Sequence, residues 1–440
     1  MSMKTSVTPN ATRTRWRHPL AIAATVAAVV TLFGGTAQAQ APVPQDLIID
    51  GVDGSTEPSG KKVYTIGDLQ GSVIIRNSRD IVVRGQSTAK PYTCNIHPDN
   101  DADSAVSLYN VQNVTIENCE LHHAKHGIWA DTLRNGVYAS SSGVTIRNNH
   151  IHDVFHDGMQ FKIHPDEFSY NYAGTLIEDN HIAAWGEANF DDFLYHGIYM
   201  KAADAVIQDN YFSDGAGGDA ITIRTAGIVR RNVINDPNDV GGISYYSQID
   251  SRVSSGHLRI ESNIVYSKPT TDPNRQAIGT ALINLGGLGG DSSSQLDYMV
   301  SKTTVRFNTL VLKGPDGSRT TKALQIDPNM AATGRTNEVA VFGNLLVDTR
   351  TTPNLVYGTQ FADYCAFNAE TGSTAGLVTS SPDPTKLYRL NGGGAGLINQ
   401  ISPSTLQGAG QSAPTYDVDI QNRPVPVGGM LDIGADEWSG

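Results

Sequence analysis

Five short segments of this 440-residue chain read as copies of one strand, and they repeat ionisable side chains at matching positions. They are His126-Gly127-Ile128-Trp129-Ala130-Asp131, Asp157-Gly158-Met159-Gln160-Phe161-Lys162, His196-Gly197-Ile198-Tyr199-Met200-Lys201, Asp219-Ala220-Ile221-Thr222-Ile223-Arg224 and Gly241-Gly242-Ile243-Ser244-Tyr245-Tyr246. Side chains alternate across a strand, so Ile128, Met159, Ile198, Ile221 and Ile243 face one way with Ala130, Phe161, Met200, Ile223 and Tyr245, and form a core. The remaining positions are expected to meet solvent in three columns. The first is His126, Asp157, His196 and Asp219. The second is Trp129, Gln160, Tyr199, Thr222 and Ser244, and the third is Asp131, Lys162, Lys201, Arg224 and Tyr246. Cations stacked at the ~4.8 Å spacing of strands repel one another. Lys162, Lys201 and Arg224 therefore make either a solvated charged face or the seat of a bound anion.

The residue types suit proton transfer. Like charge on either side favours the neutral amine of Lys201, the form that a base requires. Tyr199 and His196 lie on the same strand, where either supplies a proton donor or shuttle. Nine of the twelve histidines fall between His122 and His196, in the same region as the charged columns. His126, His156 and His196 adjoin the repeated strand, whereas His150 and His181 share a position elsewhere and are expected to face solvent. Whether His126 stacks on His156 or on Asp157 turns on a single residue and stays open.

Two long connections, 163–174 and 185–195, flank these strands. They hold Phe168, Tyr170, Tyr172, Trp185, Phe190, Phe193 and Tyr195. Exposed aromatic rings are natural partners for pyranose faces. Asp166, Glu167, Glu187, Asp191 and Asp192 lie among them and could supply the hard oxygen ligands of a Ca²⁺ cofactor, but no fixed calcium spacing is present and ordinary loop solvation is the preferred reading.

A second repeat shows what must position these residues. Apolar alternating runs interrupted by Asn recur at Val114–Leu121, Val144–Ile151, Leu176–Ile182, Val206–Phe212, Ile228–Ile234, Leu258–Val265, Val305–Leu310 and Val339–Leu346, with a degenerate copy at Ile81–Gly85. Their alignment makes one column of Cys119, Asn149, Asn180, Asn210, Asn232, Asn263, Asn308 and Asn344, at early steps of roughly 22 to 31 residues. Period-two strands in a repeat of that size predict an all-β chain, a single-stranded right-handed parallel β-helix of nine to eleven coils with terminal caps. The Asn column is expected to form an internal amide ladder.

The ends and the composition set the compartment and exclude some partners. Residues 1–39 join Arg13, Arg15 and Arg17 to the apolar run Leu20–Phe33 and close on Ala37-Gln38-Ala39, the pattern of a secretory signal peptide cleaved before Gln40. No later stretch suits a membrane span. Export to a bacterial periplasm or the medium is expected, as a monomer. Removal of that segment, with its four cations and no acid, takes the formal charge from −12 to −16, unsuited to nucleic acid. Residues 40–94 then read as an N-terminal cap and first coil, 95–348 as the coils that carry the site, and 349–440 as irregular C-terminal coils and a cap. Of Cys94, Cys119 and Cys365 at least one lacks an intrachain partner, and a Cys94–Cys365 bridge is one pairing to test.

The stretch Ile198–Ile234 resembles the chondroitinase-B-like and alginate lyases of the right-handed β-helix class, within the wider set of pectate-lyase-like secreted proteins. The shared features are a Lys that ends one strand (Lys201), an Asn-x-Phe turn (Asn210-Tyr211-Phe212) and an Arg that ends the equivalent strand of the next coil (Arg224). The ending Asp432-Ile433-Gly434-Ala435-Asp436-Glu437 similarly resembles a closing motif of secreted bacterial β-helix proteins. The resemblance implies that Lys201 removes the proton at C5 of a uronate and that Arg224 serves the leaving oxygen. Two departures stand out. Thr225-Ala226 replace a His-Gly pair, and Leu194 and His196 occupy the places of two calcium-binding glutamates.

The expected activity is β-elimination on an acidic, uronic-acid-containing polysaccharide, with Lys162, Gln160, Trp129, His126, Asp157, Asp219 and Tyr246 lining the substrate and Lys201, Arg224, His196, Tyr199 and His156 closest to the chemistry. Three alternatives remain. Asp157 and Asp219, about 9.6 Å apart at standard strand spacing, suit an inverting glycoside hydrolase. A uronate C5-epimerase would use a lyase-like site, and a non-catalytic carbohydrate-binding surface protein would use the scaffold alone.

Overall fold

The computed structural model describes residues 45–350 except 88–91, 165–169, 187–194, 237–240, 248–255, 268–280, 289–299, 313–321 and 332–337, and beyond them 356–366, 368–371, 373–375, 377, 379, 381–383, 388–389 and 434. The segment expected to be a signal peptide lies outside the described residues. So do the acids Asp166, Glu167, Glu187, Asp191 and Asp192, and the aromatics Phe168, Phe190 and Phe193.

Each coil contributes three short strands, and each strand pairs in parallel with its counterpart one coil away. The first face contains Ile128–Asp131, Met159–Lys162, Ile198–Met200, Ile221–Ile223, Ile243–Ser247 and Ala281–Leu288. The second contains Thr145–Arg147, Leu176–Glu178, Ala205–Gln208, Gly227–Arg230, His257–Glu261 and Lys302–Arg306. Two long strands, Val73–Gly85 and Val106–Glu117, run through both faces and join them into one 22-stranded sheet. The third face is a separate 11-stranded sheet from Asp68–Leu69 to Ala369–Thr371. The described residues therefore form a parallel β-helix with eleven rungs on that face. Among the described residues no helix is long and apolar enough to cross a membrane.

The corner between the second and third faces explains the Asn repeat. The residue before each column position adopts a left-handed backbone: Asn118, Asn148, Asp179, Asp209, Arg231, Ser262, Phe307 and Gly343, with φ between 53° and 68°. Such a φ is unfavourable for Arg231 and Phe307, so neighbouring contacts must over-determine the corner. The amide ladder supplies those contacts. The Nδ2 group of Asn180 donates to Asn210 Oδ1 at 2.9 Å and to the Ile146 carbonyl at 2.9 Å, and the Asn180 backbone N–H donates to the same Oδ1 at 3.0 Å. Equivalent bonds link Asn149, Asn210, Asn232, Asn263, Asn308 and Asn344 to the next member. The ladder continues one coil further than the repeat suggested, to Asn368.

Cys119 begins the column as a different cross-link. Its backbone N–H donates to Asn149 Oδ1 at 3.0 Å, while its sulfur is bonded to Cys94, its register partner in the preceding coil. The suggested Cys94–Cys365 bridge is thus corrected: Cys365 is a free, exposed thiol. Cys94 and Cys119 share a column and an inward direction, which places their sulfurs together, whereas Cys365 sits on the second face near the far end of the stack.

Candidate active site

The first-face register stacks Trp129, Gln160, Tyr199, Thr222 and Ser244 in one column. It continues to Asn284. Beneath them, Ile128, Met159, Ile198, Ile221 and Ile243 are fully buried core residues. The neighbouring outward column begins with Asp131 opposite Lys162. Its next members are Lys201, whose backbone N–H bonds the Phe161 carbonyl, and Arg224, whose N–H bonds the Met200 carbonyl.

Aromatic rings hold these cations. Lys162 Nζ lies 5.5 Å from the Trp129 ring centre and 3.9 Å from Asp131 Oδ2. Lys201 Nζ lies 5.3 Å from the Tyr199 ring centre, and the Arg224 guanidinium lies 5.2 Å from the same centre. Arg224 also sits 5.1 Å from the Tyr246 ring centre and donates through Nη1 to the Tyr246 carbonyl at 3.3 Å. Ring quadrupoles stabilise cations in this position, which offsets part of the repulsion along the column. The arrangement leaves Lys162 and Lys201 half-buried and Arg224 buried. A shallow cleft lined by Ser107, Tyr109, Trp129, Asp131 and Arg134 prolongs the column toward the N-terminal coils.

The first column does not face solvent, which corrects the sequence expectation. His126 and Asp157 are each 3% exposed, Asp219 is 6% and His196 is 7%. The reason is strand parity: each residue lies two positions before an inward Ile or Met and shares its direction. Glycine makes the bend possible, since a Cβ on Gly158 would fall 2.6 Å from the Gly197 carbonyl oxygen. Thr222 and Ser244 of the second column are likewise buried rather than exposed. The open question of stacking is also settled. His126 and Asp157 occupy equivalent positions, while the His156 N–H bonds the Lys125 carbonyl and its ring stacks on Tyr195 at 4.0 Å.

These buried groups form a polar seam. His126 Nδ1 lies 3.1 Å from Ser104 Oγ, and its Nε2 lies 3.9 Å from Asp157 Oδ2. Asp157 Oδ1 accepts the backbone N–H of His196 at 2.7 Å. The His196 Nδ1 meets Thr222 Oγ1 at 3.2 Å, and that hydroxyl donates to Asp219 Oδ2 at 3.2 Å. Burial pushes the Asp157 carboxyl up to about 8 and the Asp219 carboxyl up to about 6. Burial also lowers His126 and His196 to about 3, so both imidazoles are neutral. His196 stacks on Tyr199 with ring centres 5.2 Å apart, and so positions the ring that carries Lys201 and Arg224.

Near Arg224, several buried polar atoms find no hydrogen-bond partner among the described residues: Asp219 Oδ1, Arg224 Nε, Ser244 Oγ and Asn284 Oδ1. Unpaired buried groups are costly in a folded chain, and each calls for a partner such as a water, an ion or a ligand. Asp219 Oδ1 also depends on Gly241, because a Cβ there would collide with it. Asn284, which donates through Nδ2 to the Tyr246 hydroxyl, is a site residue that the strand repeat does not reveal. It occupies the next copy of the motif, Ile283-Asn284-Leu285, across an insertion that interrupts the spacing.

Calcium does not fit the described site. Asp131 faces Lys162, whereas Asp157 and Asp219 are buried with burial favouring their protonated forms. His196 occupies one of the positions that the resemblance assigns to a calcium-binding glutamate, and Leu194 lies outside the described residues.

Residues 59–182 match the family model for the right handed beta helix region. Among solved structures, an alginate lyase from Paenibacillus sp. str. FPU-7 is similar over 73% of this chain and 99% of its own, with 12% identity and a TM-score of 0.45. Pectate lyase Pel9A is similar over 89% and 96%, with 12% identity and a TM-score of 0.40. XylC, in complex with xylose, is similar over 86% and 66%, with 12% identity and a TM-score of 0.44. No curated protein matches the chain.

Proposed function

We propose that this pectate-lyase-like, right-handed parallel β-helix is an exported, monomeric polysaccharide lyase that cleaves a uronic-acid-containing glycan by β-elimination. The observation that carries the reading is the Tyr199 ring, which bears both the Lys201 ammonium and the Arg224 guanidinium on the outer side of the first face. An anionic sugar laid along that face meets Lys162, Lys201 and Arg224 from consecutive coils. The Cys94–Cys119 disulfide supports export, since such bonds persist in oxidising compartments. The acidic chain disfavours nucleic acid as a partner.

In this reading Arg224 binds the uronate carboxylate and stabilises the charge that develops on it as the C5 proton leaves. The Lys201 side-chain nitrogen takes that proton. The C5–H electron pair becomes the C4=C5 double bond, the C4–O bond breaks, and the departing oxygen receives a proton from the Tyr199 hydroxyl. His196 is a positioning residue: it is buried, meets Thr222 through Nδ1, and stacks behind Tyr199. His156 stacks on Tyr195 at the edge of the same region.

The hydrolase alternative requires two carboxyl groups that reach the scissile bond. Asp157 and Asp219 lie beneath the strands, and one oxygen of Asp157 is committed to a backbone N–H. That arrangement favours elimination over hydrolysis.

The test is incubation with a panel of alginate, pectate and glycosaminoglycans, followed by ultraviolet absorbance of the unsaturated uronate product. Absorbance that grows with wild type and fails with Lys201→Ala supports the reading. New reducing ends without absorbance would replace it with hydrolysis. Interconversion of uronates without chain cleavage would make the protein an epimerase.

A further inference from the structure

The third face carries a second cluster of histidines, separate from the strands of the candidate active site. His150 and His152 lie two residues apart on strand His150–Val154, so both rings emerge on its outer side. Register places Glu120 of the preceding coil opposite His150, His122 opposite His152, and His181 of the following coil opposite His150. The rings form a continuous stack: His97 on His122 at 5.2 Å, His122 on His152 at 5.0 Å, His152 on His150 at 4.1 Å and His150 on His181 at 4.6 Å.

Within this stack three groups converge. Glu120 Oε1 lies 2.9 Å from His152 Nε2 and 3.7 Å from His150 Nδ1, and the donor atoms of all three residues lie within 4.8 Å of one another. The other nitrogen of His152, Nδ1, meets Asp153 Oδ2 at 2.6 Å. Both ring nitrogens of His152 therefore face carboxylate oxygens, which accept hydrogen bonds when ionised. A neutral imidazole has only one N–H to give, so the other contact is met either by a second ring proton or by a metal ion between the nitrogen lone pair and the carboxylate. When Nδ1–H donates to Asp153, the Nε2 lone pair and the Glu120 carboxylate both point into the space beside His150. That is the carboxylate–histidine–metal arrangement, with Asp153 fixing the tautomer.

We propose that Glu120, His150 and His152 bind a divalent first-row transition ion, with Zn²⁺ as its representative. Two imidazole nitrogens and one carboxylate suit such an ion better than Ca²⁺ or Mg²⁺, which take oxygen ligands. Bonds of about 2.0–2.1 Å in a tetrahedron set neighbouring donors about 3.3 Å apart, close to the two separations to Glu120 Oε1. The three side chains are each half-buried, so the fourth position is open to water. The ion would tie two successive coils, one ligand from the coil of Glu120 and two from the coil of His150 and His152. It is distinct in position and chemistry from the first-face site, and it does not depend on the lyase reading.

Untagged mature protein, stripped with a chelator and titrated with ZnCl₂ in a calorimeter, tests the proposal. The expected result is one tight equivalent per chain, a higher melting temperature with zinc, and a visible tetrahedral spectrum when Co²⁺ replaces it. His150→Ala combined with His152→Ala should lose the tight equivalent while keeping the β-sheet circular dichroism of wild type. Asp153→Asn should retain it with affinity weakened by about 10–100-fold. His257→Ala, on the second face, should bind as wild type does. Absence of a tight equivalent in the wild type would overturn the proposal. Unchanged binding in a folded double variant would overturn it as well.

Discussion

Asp157 accepts the backbone N–H of His196 at 2.7 Å from a side chain that is only 3% exposed. This single contact sets the division of labour on the first face. The acids sit beneath the strand and hold the next coil in place, while the cations sit above it on aromatic rings. The positive charge at the surface is therefore not countered by the carboxylates of the first column.

The burial of Asp157 has a thermodynamic consequence. Burial raises the Asp157 carboxyl to about 8 from an ordinary value of 3.8. Between those values the folded chain keeps a proton that the unfolded chain has released, so stability falls as pH rises through that window. An amide in place of the carboxyl would still accept the His196 N–H but could not ionise. Asp157→Asn should thus melt close to wild type near pH 4 and at least about 2 °C higher at pH 8, as read by thermal unfolding. A constant offset at all pH values would mean that Asp157 does not carry the proton. Under the proposed elimination the variant should also keep a good part of the wild-type turnover, whereas loss of a hydrolase nucleophile or acid would abolish it.

Substitutions around Tyr199 separate binding from proton transfer. Lys201→Ala should cut kcat by about 10²–10⁴-fold, because it removes the base. Its stability should change by no more than about 0.5 kcal/mol, the usual range for a substitution away from the core. Tyr199→Phe keeps the ring under Lys201 and Arg224 and loses only the hydroxyl, so kcat should fall on the order of 10²-fold with little change in KM. Arg224→Lys loses the planar cation between two rings and should raise KM and lower kcat together. Steady-state kinetics by product absorbance decide each case, and wild-type kcat in Tyr199→Phe would assign the donated proton to another group.

Much of this architecture is legible in the sequence because it repeats. Asn149, Asn180, Asn210, Asn232, Asn263, Asn308 and Asn344 recur after alternating runs, and nothing but an inward-facing ladder gives buried amides so regular a supply of partners. The order of Lys162, Lys201 and Arg224 along one column follows from the same alignment. The depth of His126, Asp157, His196 and Asp219 is where polar residue type misleads and strand parity decides: two residues before an inward Ile is an inward position. Asn284 is hidden by irregular spacing, since an insertion lengthens the coil before it, and Asn368, 24 residues after Asn344, is hidden because Ala369-Glu370-Thr371 stands where the other members are followed by an apolar run. The Glu120, His150 and His152 cluster draws on three positions whose adjacency appears only when coil registers are known.

The ladder itself should be cooperative. In Asn210→Ala the backbone N–H and Nδ2 group of Asn180 lose their shared acceptor, and the Ile177 carbonyl loses a donor. Each buried group left unpaired costs about 1–3 kcal/mol, so the variant should lose roughly 3 kcal/mol or more. Asn210→Asp restores the acceptor but removes the donor and places a carboxylate among backbone carbonyls, and it should be no better tolerated at neutral pH. Hydrogen exchange of the flanking coils is the sharper readout. Amides of Asn180 and Val233 should lose protection first, and wild-type protection there would show that the coils stand without the ladder.

At the N-terminal end the ladder gives way to a covalent link, and the exchange is informative. Cys94 and Cys119 are both fully buried, and Cys119 still donates its N–H to Asn149, so the bridge occupies the site where one more pair of asparagines would stand. The coils before it include the strand Cys94–Ile96, of only three residues. A bridge across a sequence separation of 25 removes unfolded-state freedom worth about 3 kcal/mol in the chain-entropy account. Cys94→Ala combined with Cys119→Ala should therefore lower the first melting step and expose residues 47–96 to limited proteolysis, while coils beyond Asn149 keep their protection. Cys94→Asn combined with Cys119→Asn extends the amide column by two members and should recover part of that loss. Recovery would identify the disulfide as a substitute for ladder rungs; a double Asn variant no better than the double Ala variant would leave it as a cross-link alone.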